Sequence, residues 1–77
     1  MNKTRQKKIS AFLSAVEQIR VDLEELHGDM QEEFENKSER WQEGEKGQDM
    51  DNELSNLQSA IDSLQDVENT LEEFDNE

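Results

Sequence analysis

The chain has 77 residues, of which 21 are Asp or Glu and 8 are Lys or Arg, so its formal net charge is −13, and it contains neither Cys nor Pro. A chain this short forms one small domain without room for a large enclosed pocket, which argues against a self-contained metabolic enzyme. The lack of Cys excludes disulfides and thiolate metal sites, and no apolar run approaches the roughly 20 residues of a membrane span, so we expect a cytoplasmic protein without a membrane partner.

The charge divides the chain into two unlike parts. Residues 1–21 sum to +4, whereas residues 22–77 sum to −17, and the stretch 47–77 holds ten carboxylates and no basic side chain. Low hydrophobicity combined with high net charge is the composition of disordered chains. The regular spacing of the apolar residues argues instead for helices.

The first predicted element is a helix over residues 4–43. Its apolar residues alternate spacings of three and four, as the seam of a coiled coil does. They are Ile9, Phe12, Val16, Ile19, Leu23, Leu26 and Met30. A four-residue step then moves the seam to Phe34 and Trp41, which unwinds a coiled coil locally. Gly28 lowers the helix propensity inside this segment, so a kink or break there, giving three helices, stays open.

The second predicted element is a helix over residues 49–75. Its seam is Met50, Leu54, Leu57, Ile61 and Leu64, continued after a three-residue step by Val67, Leu71 and Phe74. Between the helices we expect a turn at 44–48, with one glycine in the left-handed conformation and Asp49 or Asp51 as the cap of the second helix. Two long amphipathic helices joined by so short a turn predict an all-α, coiled-coil-like antiparallel hairpin, with residues 1–77 as one domain.

The two predicted helices are unequal in length. The second helix ends where the first has reached about residue 16, so the apolar residues before that point have no partner within the chain. We therefore expect a homodimer that forms a helical bundle, in which each basic N-terminal segment lies near the acidic C-terminal half of the other copy. The predicted dimer contacts are Ile9, Phe12, Leu13 and Val16.

Neither a catalytic nor a metal site is predicted. One His and no Cys give no recognisable arrangement of nucleophile, base and orienting acid. Glu24 and His27 have the Glu-x-x-His spacing of di-iron bundles, but they flank Leu26 and should lie beside the seam. We expect no cofactor.

Trp41 lies one helical turn before the predicted hairpin turn. Its ring can close the end of the two-helix core, or it can form a partner-recognition tip together with Lys46 and Gln48. Both interpretations follow from the same position.

Residues 34–48 and 57–64 carry a resemblance to known proteins. The first stretch contains Phe-x-Asn-Lys-Ser-Glu and a Gln-x-x-Glu-Lys-Gly turn, and the second reads Leu-x-x-Ala-Ile-Asp-Ser-Leu. This pattern resembles a diffuse group of short acidic helical-hairpin proteins of phages and mobile elements, from which the chain departs at Trp41. The resemblance implies a phage or mobile-element origin and brings no settled activity.

The acidic half points to a non-enzymatic binding protein. A charge of −17 along a hairpin about 35 to 40 Å long is about one charge per 2.2 Å, compared with about one per 1.7 Å in duplex DNA. We expect an inhibitor or mimic of nucleic acid that occupies the basic site of a nucleic-acid-binding protein and does not itself bind nucleic acid. The acidic face predicted for this role is Glu24, Glu25, Glu32, Glu35, Asp62, Asp66, Glu72 and Glu73. The alternative is a coiled-coil assembly module that docks through its apolar N-terminal helix.

Overall fold

The computed structural model describes residues 2–75, which form a rod of three helices. α1 spans Lys3–Glu35, α2 spans Glu39–Glu43 and α3 spans Glu45–Asp75. The Cα atoms extend over 58 × 14 × 14 Å, and α1 packs along α3. The predicted all-α hairpin is confirmed for the described residues.

α1 begins at a side-chain cap and continues past its one glycine. The Oδ1 atom of Asn2 accepts a hydrogen bond from the backbone N–H of Arg5 at 2.8 Å, which satisfies one of the open donors of the first turn. The helix then runs through Gly28 without interruption. The break that makes three helices instead of two lies at residues 36–38, well beyond Gly28.

The predicted extent of the first helix, 4–43, is wrong at its C-terminal end. α1 stops at Glu35, and residues 39–43 form the separate short helix α2. The turn predicted at 44–48 is also misplaced, because Gly44 alone separates α2 from α3 and residues 45–48 are already helical. The reason is local bonding around Ser38 and Gln42, which has no periodic signature in the sequence.

The row of α1 residues that faces α3 differs in part from the predicted seam, with which it shares Val16, Leu23 and Met30. Spacings of three and four also connect a second row, and its members are partly buried: Leu13, Val16, Arg20, Leu23, His27, Met30 and Phe34. Three residues of the predicted seam instead stay exposed, Phe12 by 58%, Ile19 by 52% and Leu26 by 46%. The seam of α1 therefore contains Arg20 and His27, and the placement of His27 beside the seam is corrected.

The seam of α3 keeps its regular spacing to the end of the helix. Leu54 and Ile61 are the apolar residues that are buried within residues 2–75, and Glu68 is 4% exposed at the next position of the same row. The predicted three-residue step to Val67 does not occur, and Val67 and Phe74 remain exposed by 43% and 36%. Glu68 takes the seam position because it pairs with Arg20 of α1.

Heptad positions describe the two sides of this hairpin. If Arg20 and Glu68 each occupy an a position, the d rows contain Leu23 and Leu64, and the large exposed apolar residues fall at g, except Val21 at b. In a right-handed helix g lies beside d and e beside a, so two antiparallel helices place both g rows on one side of the hairpin and both e rows on the other. We call the first side the apolar flank; it contains Phe12, Ile19, Leu26, Ala60, Val67 and Phe74. We call the other side the polar flank; its e positions are Glu17, Glu24, Gln31, Gln58, Gln65 and Glu72.

The pair of Arg20 with Glu68 also fixes the register of the two long helices. With this pairing, Asp75 at the end of α3 lies level with about Leu13 of α1. Residues 3–12 therefore extend past α3, and we call them the N-terminal arm. This overhang was expected, although the paired region reaches about one helical turn closer to the N-terminus than predicted.

Candidate protein-binding surfaces

The hairpin tip, residues 34–48, is held by side chains that bond to the backbone. The Oγ atom of Ser38 caps α2 by accepting from the N–H of Trp41 at 3.2 Å. The amide Nε2 of Gln42 donates to the carbonyl oxygens of Phe34 and Lys37, at 3.0 Å each. The Phe34 carbonyl also accepts from the backbone N–H of Lys37 at 3.1 Å, so the amide of Gln42 adds a second bond there. The side chain of Gln42 thus links α2 to the C-terminal end of α1.

Trp41 packs inside this tip. Its ring meets that of Phe34 edge to face, with the centroids 6.3 Å apart at 67°, and the Nζ atom of Lys37 lies 5.2 Å from the Trp41 centroid. The residue is half-buried. This geometry favours the role in which Trp41 closes the loop end of the core, since edge-to-face and cation–π contacts both engage the ring within the chain.

Neither glycine of the tip adopts a left-handed conformation, and Gly47 is required because a side chain has no room there. No residue in the described part of the chain has a positive φ, so the left-handed glycine expected in the turn is wrong. Gly44 is extended, with φ −78° and ψ −179°. Gly47 is buried in the first turn of α3, where an added Cβ would collide with the carbonyl group of Gln42. Only glycine lets α3 approach α2 this closely.

The other two residues of the predicted tip site lie on its surface. Lys46 is exposed, and the Nε2 atom of exposed Gln48 donates to the carbonyl oxygen of Glu43 at 3.2 Å. Asp49 and Asp51, predicted as caps, lie inside α3. Trp41, Lys46 and Gln48 thus share one end of the rod, but two of the three are engaged in holding that end together.

All eight carboxylates of the predicted acidic face are exposed. They do not share one direction. Glu25 and Glu32 occupy f positions on the outer edge of α1, and Asp66 and Glu73 occupy f positions on the outer edge of α3, which faces the opposite way. The negative charge therefore surrounds the rod instead of forming a single plane.

Arg20 makes both ion pairs seen within residues 2–75. Its Nε atom donates to Oε2 of Glu68 and its Nη2 atom to Oε1 of the same carboxylate at 3.3 Å, while Nη1 donates to Glu24. The hydrogen bond to Glu68 is the main cause that raises the pKa of Arg20 above its ordinary value, against a smaller lowering by burial. The guanidinium therefore stays charged, and the fork of two bonds satisfies a carboxylate that would otherwise be buried alone.

The predicted dimer contacts are divided between the seam of α1 and the apolar flank. Ile9, Leu13 and Val16 are partly covered, whereas Phe12 is exposed on the apolar flank. An open groove of about 370 Å³ continues this flank towards the tip, lined by Met30, Glu53, Asn56 and Leu57. The apolar flank and this groove together run along one side of the rod.

Residues 2–75 contain no group of three or more His, Cys, Asp and Glu side chains placed to hold a metal ion. Glu24 is engaged by Arg20, and His27 lies in the seam. No helix in the same range is long and apolar enough to cross a membrane. The chain thus presents three features for a partner: the acidic edges, the tip and the apolar flank.

Comparison with models of protein families, with curated proteins and with solved structures found no match. The resemblance to hairpin proteins of phages and mobile elements stays a prediction.

Sequence reasoning missed the ion pair of Arg20 with Glu68 and the division of the α1 stripe between seam and flank. One signal was available. The spacing from Leu13 through Arg20 to Phe34 alternates three and four as regularly as the apolar row does, and its charged member has a counterpart of opposite charge at the matching level of α3.

Proposed function

We propose that this chain is a non-enzymatic, acidic binding protein of the cytoplasm that occupies the basic site of a nucleic-acid-binding protein, as a mimic or inhibitor. The observation that carries this proposal is the negative outer surface of the rod beyond its basic N-terminal arm. α3 contains a single basic residue, Lys46, and the outward carboxylates of both long helices are exposed. A surface of one sign attracts a basic partner and repels nucleic acid.

The magnitude of the charge supports the proposal, although less strongly than the sequence alone predicts. The 31 residues of α3 are about 46 Å long by helix rise, so the same −17 corresponds to about one charge per 2.7 Å. Duplex DNA carries about one per 1.7 Å. The field of the rod is therefore weaker than that of DNA by less than a factor of two, and it extends around both edges.

A binding experiment with a matched pair of variants tests this function. The tagged protein is used to capture proteins from an extract at low and at high salt, and captured nucleic-acid-binding proteins are then challenged with duplex DNA. The variant neutralises four carboxylates of α3 as Asp62→Asn, Asp66→Asn, Glu72→Gln and Glu73→Gln. The control neutralises four near the tip as Glu39→Gln, Glu43→Gln, Glu45→Gln and Asp49→Asn.

We expect capture that weakens steeply with salt, that DNA competes away, and that the α3 variant loses more than the tip control does. Capture that is independent of salt, or partners that DNA does not displace, would contradict the proposal.

A second candidate function is an assembly module that docks through α1. The observation that favours it is the exposure of Phe12 and Ile19 on a helix that already packs against α3. Under this function Phe12→Asp abolishes activity and neutralising the four α3 carboxylates has little effect. Under the mimic function the order of the two effects is reversed.

A further inference from the structure

The elongated chain exposes more surface than a compact chain of the same mass. A compact monomer of 9.0 kDa has an accessible surface of about 4,850 Å² by the usual scaling, whereas this chain has 5854 Å². The excess is roughly 1,000 Å². This excess belongs to the rod as a whole. Standard interfaces bury about 800 Å² on each partner, so the rod has enough surface to cover in a dimer of standard size.

We propose that a second copy of this chain covers the apolar flank, so that two hairpins pack flank to flank as an antiparallel four-helix bundle. This inference does not depend on the proposed function, because the outer acidic edges stay free in the bundle. It also differs from the dimer expected from the sequence, since the contact is the g row beside the seam rather than the seam itself. Helices in such bundles carry apolar residues at a and d and at one neighbouring row, which is the pattern of α1.

The charges at the ends of the α1 g row select the orientation of the second copy. Along this row the residues are Arg5, Phe12, Ile19, Leu26 and Glu33. A two-fold axis beside Ile19 places Arg5 opposite Glu33 of the second copy and Phe12 opposite its Leu26. The row is thus complementary to itself when reversed, with opposite charges at both ends and apolar residues between them.

The neighbouring c row has the same register. Lys8 comes opposite Asp29 of the second copy, and small Ala15 comes opposite its Asp22. On α3 the pairing of Arg20 with Glu68 puts the same axis near Asn69, between Val67 and Phe74, so each of these residues lies within about one helical turn of the other from the second copy. Two rows of α1 therefore agree on one arrangement, and the exposed apolar residues of α3 lie close to its axis.

The groove beside Met30 and Leu57 receives the N-terminal arm in this arrangement. Ile9 occupies the d position that comes opposite Met30 under the same two-fold axis. Ile9, which is partly covered, lies beyond the level at which α3 ends and is placed to enter the groove of the second copy. Each arm then covers apolar surface that the other hairpin leaves open.

The other symmetric way of stacking two flanks is unfavourable. Placing α1 of one copy over α3 of the other brings Glu33 close to Glu53 of the second copy and leaves Arg5 beyond the end of its α3. Like charges at the rim of an interface disfavour that partner orientation. The electrostatic pattern therefore distinguishes the two bundles, although both bury the same apolar residues.

Sedimentation equilibrium of the full chain with two matched variants tests the inference. Ile19→Asp places a charge on the apolar flank, and Val21→Asp makes the same type of change on an exposed residue of the outer face two positions away. We expect a dimer of about 18 kDa for the protein and for Val21→Asp, and at least a tenfold weaker dimer for Ile19→Asp. Circular dichroism checks that each variant stays helical. A monomer of the unmodified chain at micromolar concentration, or equal dimerisation of both variants, would overturn the inference.

Charge exchange keeps the inference testable if Ile19→Asp fails to fold. Arg5→Glu and Glu33→Arg each replace an attraction at the rim by a repulsion, so each weakens the dimer at low salt. The double variant restores the opposite charges in exchanged positions and recovers most of the loss. If the double variant is no stronger than the weaker single variant, this antiparallel arrangement is wrong. A dimer that survives Ile19→Asp and ignores these exchanges would place the contact elsewhere, and a mass that rises only when another protein is added would assign the flank to a different partner.

Discussion

The tip and the stem of this hairpin are stabilised by different means. In the tip, residues 34–48, the side chains of Ser38 and Gln42 form hydrogen bonds with individual backbone groups. The backbone at Gly47 leaves no space for a side chain. In the stem, formed by the paired parts of α1 and α3, the buried apolar residues among those described are Leu54 and Ile61, and the most specific contact is an ion pair. Local bonds therefore define the turn, whereas a repeated pattern of partial burial holds the long helices together.

The comparison teaches where a single substitution matters. A change in the tip disturbs a bond or a contact that has no substitute, whereas the stem distributes its stability over many half-buried residues. The ion pair is the exception within the stem, because it combines burial with directional bonds.

Gly47→Ala should have the largest effect on stability. The new Cβ collides with the backbone carbonyl of Gln42, which has no flexible side chain to move away, and overpacking of this kind costs up to about 3 kcal/mol. We expect the melting temperature to fall by about 15 °C in circular dichroism. Gly44→Ala is the control, because its Cβ finds its nearest neighbour at 3.4 Å, and an equal fall in both variants would contradict this role of Gly47.

Arg20→Leu should be the most damaging change in the stem. It leaves the buried carboxylate of Glu68 without its partner, and we expect a fall in melting temperature of about 10 °C. The double variant Arg20→Leu and Glu68→Leu removes both charges from the seam and should recover the loss or exceed the original stability. A double variant less stable than Arg20→Leu would show that the pair stabilises the hairpin by more than mutual neutralisation.

Ser38→Ala should cost about 1 kcal/mol, the usual value for a lost N-cap. Thermal or urea unfolding measures this, and Ser38→Asp is the control because aspartate restores the acceptor. A neutral Ser38→Ala would mean that α2 is held by Gln42 alone.

Gly28→Ala should act in the opposite direction. An added Cβ has no neighbour within 4 Å, and alanine favours the helix by about 1 kcal/mol over glycine. We expect a rise in melting temperature of a few degrees, with the oligomeric state unchanged. A fall would indicate that α1 needs the flexibility of Gly28.

The sequence predicts the hairpin because spacings of three and four, interrupted near two glycines, are a property of helices in any context. It does not predict which row of α1 is buried. The apolar stripe of α1 covers three neighbouring heptad rows. Ile19 lies in the g row, Leu23 in the d row and Leu13 in the a row. A contact between two helices buries only two of these rows. The ion pair of Arg20 with Glu68 on α3 selects the a and d rows.

The sequence misplaces the turn for a different reason. The bonds of Ser38 and Gln42 to nearby backbone groups depend on exact local angles and have no period along the chain. Gly47 is required by the approach of α3 to Gln42, which only the folded turn creates. A turn was therefore expected in the right region, but its residues and the conformation of its glycines were not.

The most direct test of the apolar flank as a contact between two copies is disulfide trapping. The chain has no cysteine, so Ile19→Cys introduces one thiol beside the proposed two-fold axis, and Val21→Cys introduces one on the outer face. Under mild oxidation at micromolar concentration we predict rapid formation of a covalent dimer by Ile19→Cys and little by Val21→Cys. Equal trapping of the two variants, or none by Ile19→Cys, would contradict the arrangement.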